Sequence, residues 1–197
     1  TDLEMVIEAM TLGAKKKRGV LLANRNIFNG SGEYRRVVSD YHREIIENCY
    51  VLKPGDRAEF QGAKLSATKC AHSEKDCIGF VLDAGGVRLG YTADGCYYEG
   101  QEDYFKGCDC LIINCLRPRF SGDYGHMTAD KAKLLVEKAK PKMAILQHLG
   151  MKMLFGVAER EAAWITKETG LKTVAAKDGQ VFEFGGPAQK GRQQSLK

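Results

Sequence analysis

Four side chains able to ligate a metal or move a proton stand out in the 197-residue chain: His72, Asp94, His126 and His148. His72 follows the apolar-alternating segment 63–69, and Asp94 closes the run Gly90-Tyr91-Thr92-Ala93-Asp94-Gly95. His126 sits in Gly125-His126-Met127-Thr128 ahead of a helical pattern, and His148 follows the apolar run 142–147. Loops at strand ends are where scaffolds present functional groups. Singly, each residue has a plain explanation, since an aspartate before glycine often just makes a turn. Together, His72, Asp94 and His148 offer two imidazoles and one carboxylate. A hydrolytic metal site needs such neutral nitrogen and anionic oxygen donors, and in two-metal sites one oxygen ligand can bridge ions about 3.5–4 Å apart. The fourth histidine, His42, lies beside Tyr41 in a helical stretch and reads as surface or core.

Positioning those residues requires a layered scaffold. Leu3, Val6, Ile7 and Met10 fall at i, i+3, i+4 and i+7, which predicts an amphipathic helix over 2–11. Residues 19–23 read as a short buried strand, 24–39 as a long connection, and 51–56 as a segment closed by a Pro-Gly turn. Residues 63–69, 78–83 and 87–92 are strand candidates, the last two joined at Ala84-Gly85-Gly86. The run 110–114 is apolar at nearly every position, so it should be covered on both faces. Thr128 to Lys140 predicts a helix capped by Thr128, with Ala132, Leu135, Val136 and Ala139 inward and Pro141 stopping it. A strand over 142–147, a helix over 158–169 and a hairpin of 172–176 with 180–184, turning at Asp178-Gly179, complete the pattern. Mixed strands and helices in this order indicate an α/β domain.

Apolar residues make up 44% and charged residues 28%, which excludes global disorder. No run approaches the roughly 18–20 apolar residues of a membrane span, and no basic-then-apolar leader opens the chain, so the expectation is a cytoplasmic protein with no membrane partner. Seven cysteines, an odd number, argue against a disulfide framework and for reduced, mostly buried thiols. The net charge of +5 permits an anionic substrate. The densest basic run, Lys15 to Arg18, reads as a solvated loop. Tyr34, Tyr41, Tyr97, Tyr98 and Tyr104, and likewise Met151 and Met153, read as ordinary packing.

Ala71-His72-Ser73 before Ile78-Gly79-Phe80, then Gly90-Tyr91-Thr92-Ala93-Asp94, then Gly125-His126-Met127-Thr128, then Ala144-Ile145-Leu146-Gln147-His148 resembles the ordered later motifs of the metallo-β-lactamase superfamily. The resemblance runs from about Asp2 to Phe184 and is strongest to the branch of tRNA 3′-end-processing nucleases and phosphodiesterase-like hydrolases. It implies an α/β (α+β) fold, a four-layer αββα sandwich with its N-terminal strands missing. One domain would span 1–185, incomplete at its N-terminus, followed by a polar tail over 186–197. His72 would ligate a first metal, Asp94 would bridge two, and His148 would ligate the second. A hydroxide between the ions would be the nucleophile, and His126 would stabilise or protonate the leaving oxygen. The complete protein would use two divalent ions, zinc foremost, with manganese or iron as alternatives.

The family's H-x-H-x-D-H cluster is absent from the chain. The expectation is therefore a shortened form of a longer hydrolase, or one whose first part is not represented. As it stands, the chain would bind metal weakly. An oligomeric partner or the missing N-terminal segment would cover the exposed edges and complete the fold. Asn114 falls where the nuclease branch has a glutamate paired with the histidine at the His126 position, so tRNA 3′ processing is not implied. The leading function is metal-dependent hydrolysis of a phosphoester or another small anionic ester. The alternative is a non-catalytic binding or assembly module of the same fold that lacks the first ligand cluster. Nucleic-acid binding rests on net charge, Lys15 to Arg18, Lys190, Arg192 and Lys197, with no aromatic-interleaved basic stripe to support it.

Overall fold

The computed structural model describes residues 2–122 and 124–184. The predicted tail over 186–197, with Lys190, Arg192 and Lys197, lies outside the described residues. Helix α1 (Asp2–Thr11) leads into strand β1 (Val20–Ala23), the short helices α2 (Arg25–Asn29) and α3 (Asp40–Ile45), and strand β2 (Asn48–Val51). β1 and β2 pair in parallel as a two-stranded sheet. Ile7, Val38 and Ile46 form the core of this half. His42 pins α1 to α3: its Nδ1 meets the Ser39 hydroxyl at 2.7 Å and Glu4 at 3.1 Å, and its Nε2 lies 3.4 Å from Glu8. Lys15 to Arg18 are exposed, as a solvated loop requires.

A seven-stranded sheet follows, built from β3 (Arg57–Phe60), β4 (Ala63–Lys69), β5 (Ile78–Ala84), β6 (Val87–Tyr91), β7 (Cys110–Asn114), β8 (Met143–Gln147) and β9 (Thr173–Ala175) in spatial order 3-4-5-6-7-8-9. β3 to β6 form an antiparallel meander, whereas β6 to β9 run parallel. Parallel neighbours need crossovers. These carry α4 (Gln101–Phe105), α5 (Ala129–Ala139) and α6 (Val157–Thr169). α5 and α6 bury Leu135, Val136, Ala158, Ala162 and Ile165 against Leu111, Ile113, Ala144 and Leu146. Alternate residues of the same strands, Cys110 and Ile145, pack on the opposite face with Met143, Val174, Phe182 and Phe184. Both faces of β7 and β8 are covered, which their unbroken apolar runs demand.

Three expectations are corrected. β2, β3, α2 and α4 are additional elements. Residues 180–184 turn back at Gln180, whose amide donates to the Lys177 carbonyl, but form no strand; Phe182 and Phe184 pack onto the sheet face instead. Thr128 precedes α5 in an extended conformation, yet its side chain makes no capping hydrogen bond. Among the described residues, no helix is long and apolar enough to cross a membrane.

Candidate metal centre

Strand polarity brings the four chemistry-bearing side chains to one rim. β4 is antiparallel to β5 and β5 to β6, so β4 and β6 point the same way, and β7 and β8 are parallel to β6. The C-terminal ends of β4, β6, β7 and β8 therefore share one edge, where ligands bind in open α/β sheets. His72 and Asp94 each follow their strand by three residues, and His148 is the first residue beyond β8. His126 stands at the end of the long connection that leaves β7. That connection folds back on itself: the Leu116 amide donates to the Met127 carbonyl at 3.1 Å, and the Ala129 amide to the Arg117 carbonyl at 3.0 Å.

Local backbone shapes hold the approach. Ala93 and His148 adopt left-handed conformations, φ 58° and 55°. Such strain in non-glycine residues persists where the surroundings enforce it. The Cys96 amide donates to the Ala71 carbonyl at 2.9 Å, drawing the Asp94 turn against the His72 segment. Gly95 allows this contact, because a Cβ there would lie 2.6 Å from the Ala71 oxygen and 2.8 Å from the Cys70 sulfur.

Asp94 is the hub. His126 Nδ1 lies 2.9 Å from Asp94 Oδ1, His148 Nε2 lies 3.3 Å from Oδ2, and His72 Nε2 lies 3.7 Å from Oδ2. Donor atoms of His72, Asp94 and His126 all fall within 4.8 Å of one another. The side chains are partly exposed, from 24% for His72 to 43% for His148, so solvent and a substrate can reach them. The Glu74 amide donates to His72 Nδ1 at 3.2 Å. Three imidazoles and one carboxylate with partial solvent access suit a divalent cation in donor type.

Asn114 is remote from His126 in hydrogen bonding. It is nearly buried, donates to the Tyr91 hydroxyl at 3.2 Å and accepts from Gln147 Nε2 at 2.8 Å. The carboxylate that meets His126 is Asp94, 32 residues away, a pairing that no local pattern signals. Met153 is buried, but Met151 is 82% exposed, correcting its reading as core. Phe120, Tyr124 and Phe155 are exposed as well, so the segments leading to His126 and away from His148 present an apolar rim. Tyr97 and Tyr98 are engaged elsewhere, donating to Glu102 and to the Lys69 carbonyl.

Residues 6–149 match the family described as the Beta-lactamase superfamily domain. The chain is similar to the uncharacterized protein MJ1374 of Methanocaldococcus jannaschii, with 36% identity over 186 residues, covering 93% of this chain and 69% of that protein. Among solved structures it is similar to the metallo-beta-lactamase fold protein YhfI from Bacillus subtilis, with a TM-score of 0.72 and 17% identity over 91% of this chain and 72% of that one. A diphosphatase from the PhnP family aligns with a TM-score of 0.60 and 18% identity over 88% of this chain and 61% of that one. At such identities the two structures show a shared fold.

Proposed function

This chain belongs to the β-lactamase superfamily, and on that footing we propose that the protein is a metal-dependent hydrolase of phosphoesters or other small anionic esters. The observation that carries the proposal is the meeting of one carboxylate, Asp94, with three imidazoles, His72 and His148 from strand ends and His126 from the connection ahead of α5. His72, Asp94 and His148 would hold divalent cations, zinc foremost, alongside donors from outside these residues. Bound cations supply Lewis acidity, which eases ionisation of a water and offsets charge building on an anionic ester.

The chain's own groups supply orientation and a proton. Each Asp94 oxygen has two acceptor positions, so Oδ1 can hold His126 while the carboxylate still faces a cation. That contact fixes His126 through Nδ1 and leaves Nε2 to give a proton to the leaving oxygen. The exposed Phe120, Tyr124, Met151 and Phe155 suit an ester bearing an apolar or aromatic group. That a diphosphatase shares the fold is in keeping with a phosphate-bearing substrate. Mutual proximity of His72, Asp94 and His126 supports a second assignment, in which His126 is itself a ligand.

The test is release of 4-nitrophenol from bis(4-nitrophenyl) phosphate by protein supplied with zinc or manganese. Chelator should stop turnover, and Asp94→Ala should lower it by about 100-fold or more, the scale of losing a preorganised electrostatic group. Zinc binding without turnover would instead support a non-catalytic binding module.

A further inference from the structure

Outside the histidine cluster, two thiols occupy positions that no simple sequence motif marks. Antiparallel β4 and β5 pair with Lys69 opposite Ile78, and one further step of that register places Cys70 opposite Cys77. Directly opposed residues in an antiparallel ladder have Cα atoms about 4.5–5.5 Å apart. A disulfide spans Cα separations of about 4.4–6.8 Å. Both sulfurs approach the same atom, the Asp94 carbonyl oxygen, Cys70 at 2.8 Å and Cys77 at 3.8 Å, so they lie on one side of the ladder. Both are half-buried, and Ser73, Lys75 and Asp76 between them are exposed. Cys108, Cys110 and Cys115 are sealed in the core by contrast, where burial pushes their thiols up to about 11, 11 and 12.

We propose that Cys70 and Cys77 are a redox modification site, closing into a reversible disulfide across the end of the β4–β5 ladder on reaction with a small-molecule disulfide. The step balances as thiol–disulfide exchange. The Cys77 sulfur attacks one sulfur of oxidised glutathione, whose S–S bond breaks and releases one glutathione thiol. Cys70 then attacks the Cys77 sulfur, forming the protein disulfide and releasing the second glutathione thiol, which together with the first carries away both protons and both electrons. The new bond closes the segment 70–77 around His72 and removes the Cys70 thiol's hydrogen bond to Asp94. Oxidation state is thereby coupled to the backbone that carries two of the four clustered residues, His72 and Asp94.

Peptide mapping of the full chain tests this. Reduced protein is incubated with oxidised glutathione, alkylated in denaturant and digested with trypsin without reduction. Cleavage after Lys69, Lys75 and Arg88 separates Cys70 on 70–75, Cys77 on 76–88 and Cys96 on 89–106. The expected product is 70–75 joined to 76–88, two hydrogens lighter than their sum and lost on adding dithiothreitol, with free thiols falling from seven to five. Cys96→Ser should leave this link intact, and Cys77→Ser should abolish it. Linkage of either residue to Cys96, separate glutathione adducts on the two peptides, or an unchanged thiol count would overturn the proposal. The readout is independent of metal loading and turnover, so it stands or falls apart from the hydrolase assignment.

Discussion

Asp94 offers two oxygens to three imidazoles, and the contacts are graded. Only the His126 contact, at 2.9 Å, has the length of a hydrogen bond, while His148 at 3.3 Å and His72 at 3.7 Å stand off on the other oxygen. On the proposed assignment His72 and His148, both nearer Oδ2, would be the imidazoles to hold a cation, whereas His126 already has a partner on Oδ1. Zinc titration by calorimetry separates the two assignments of the third donor. His148→Ala should weaken zinc by at least about 10-fold, the lower end of what even an outer-shell partner is worth. His126→Ala should keep most of the affinity and lose turnover. The reverse pattern makes His126 the ligand, and an unchanged affinity in Asp94→Ala would remove the carboxylate from the site. The four residues were legible one by one, because three follow strand patterns and His126 precedes a helical one. Their grading was not, since it depends on where a connection beginning beyond residue 114 returns to the rim.

Secondary-structure elements reach this rim through direction rather than length. A reversal of β4 would send the residue after it to the opposite edge of the sheet, and the antiparallel steps through β5 keep β4 aligned with β6. The two ends are then joined by the Ala71–Cys96 bridge, which tolerates no side chain at Gly95. Gly95→Ala drives a Cβ into a backbone oxygen that cannot swing aside. The expected cost is about 1–3 kcal/mol, typical of overpacking, read by urea unfolding, together with weaker zinc binding as Asp94 moves off His72. Gly32→Ala meets no atom within 4 Å and should change neither, which makes it the control. β7, β8 and α5 were readable because their apolar spacing is strong. β2 and β3 were not, because they are short and mostly exposed, so burial imposes no alternation on them. The 180–184 segment had strand spacing and a turn but no partner strand, and its phenylalanines found a sheet face instead.

At the scale of the molecule, the two halves are unequally finished. The seven-stranded sheet is covered on both faces in its parallel half, whereas the small sheet has only β1 and β2, each with one pairing edge unused among the described residues. In this same half Met5, Val6, Leu12, Tyr50 and Val51 are each about half exposed or more. Scattered apolar residues are ordinary. Several on one small unit with open strand edges favour association. Sedimentation velocity over a range of concentrations should therefore show this chain self-associating, with the mean sedimentation coefficient rising as protein is added. Val6→Glu combined with Val51→Lys should return it to monomer without unfolding, because both side chains already face solvent and their replacement opens no cavity. A wild-type chain that stays monomeric throughout would show that edge and patch are too small to recruit a second copy. Association abolished by the pair while the unfolding midpoint holds would place the contact on the β1–β2 half and away from the histidine rim.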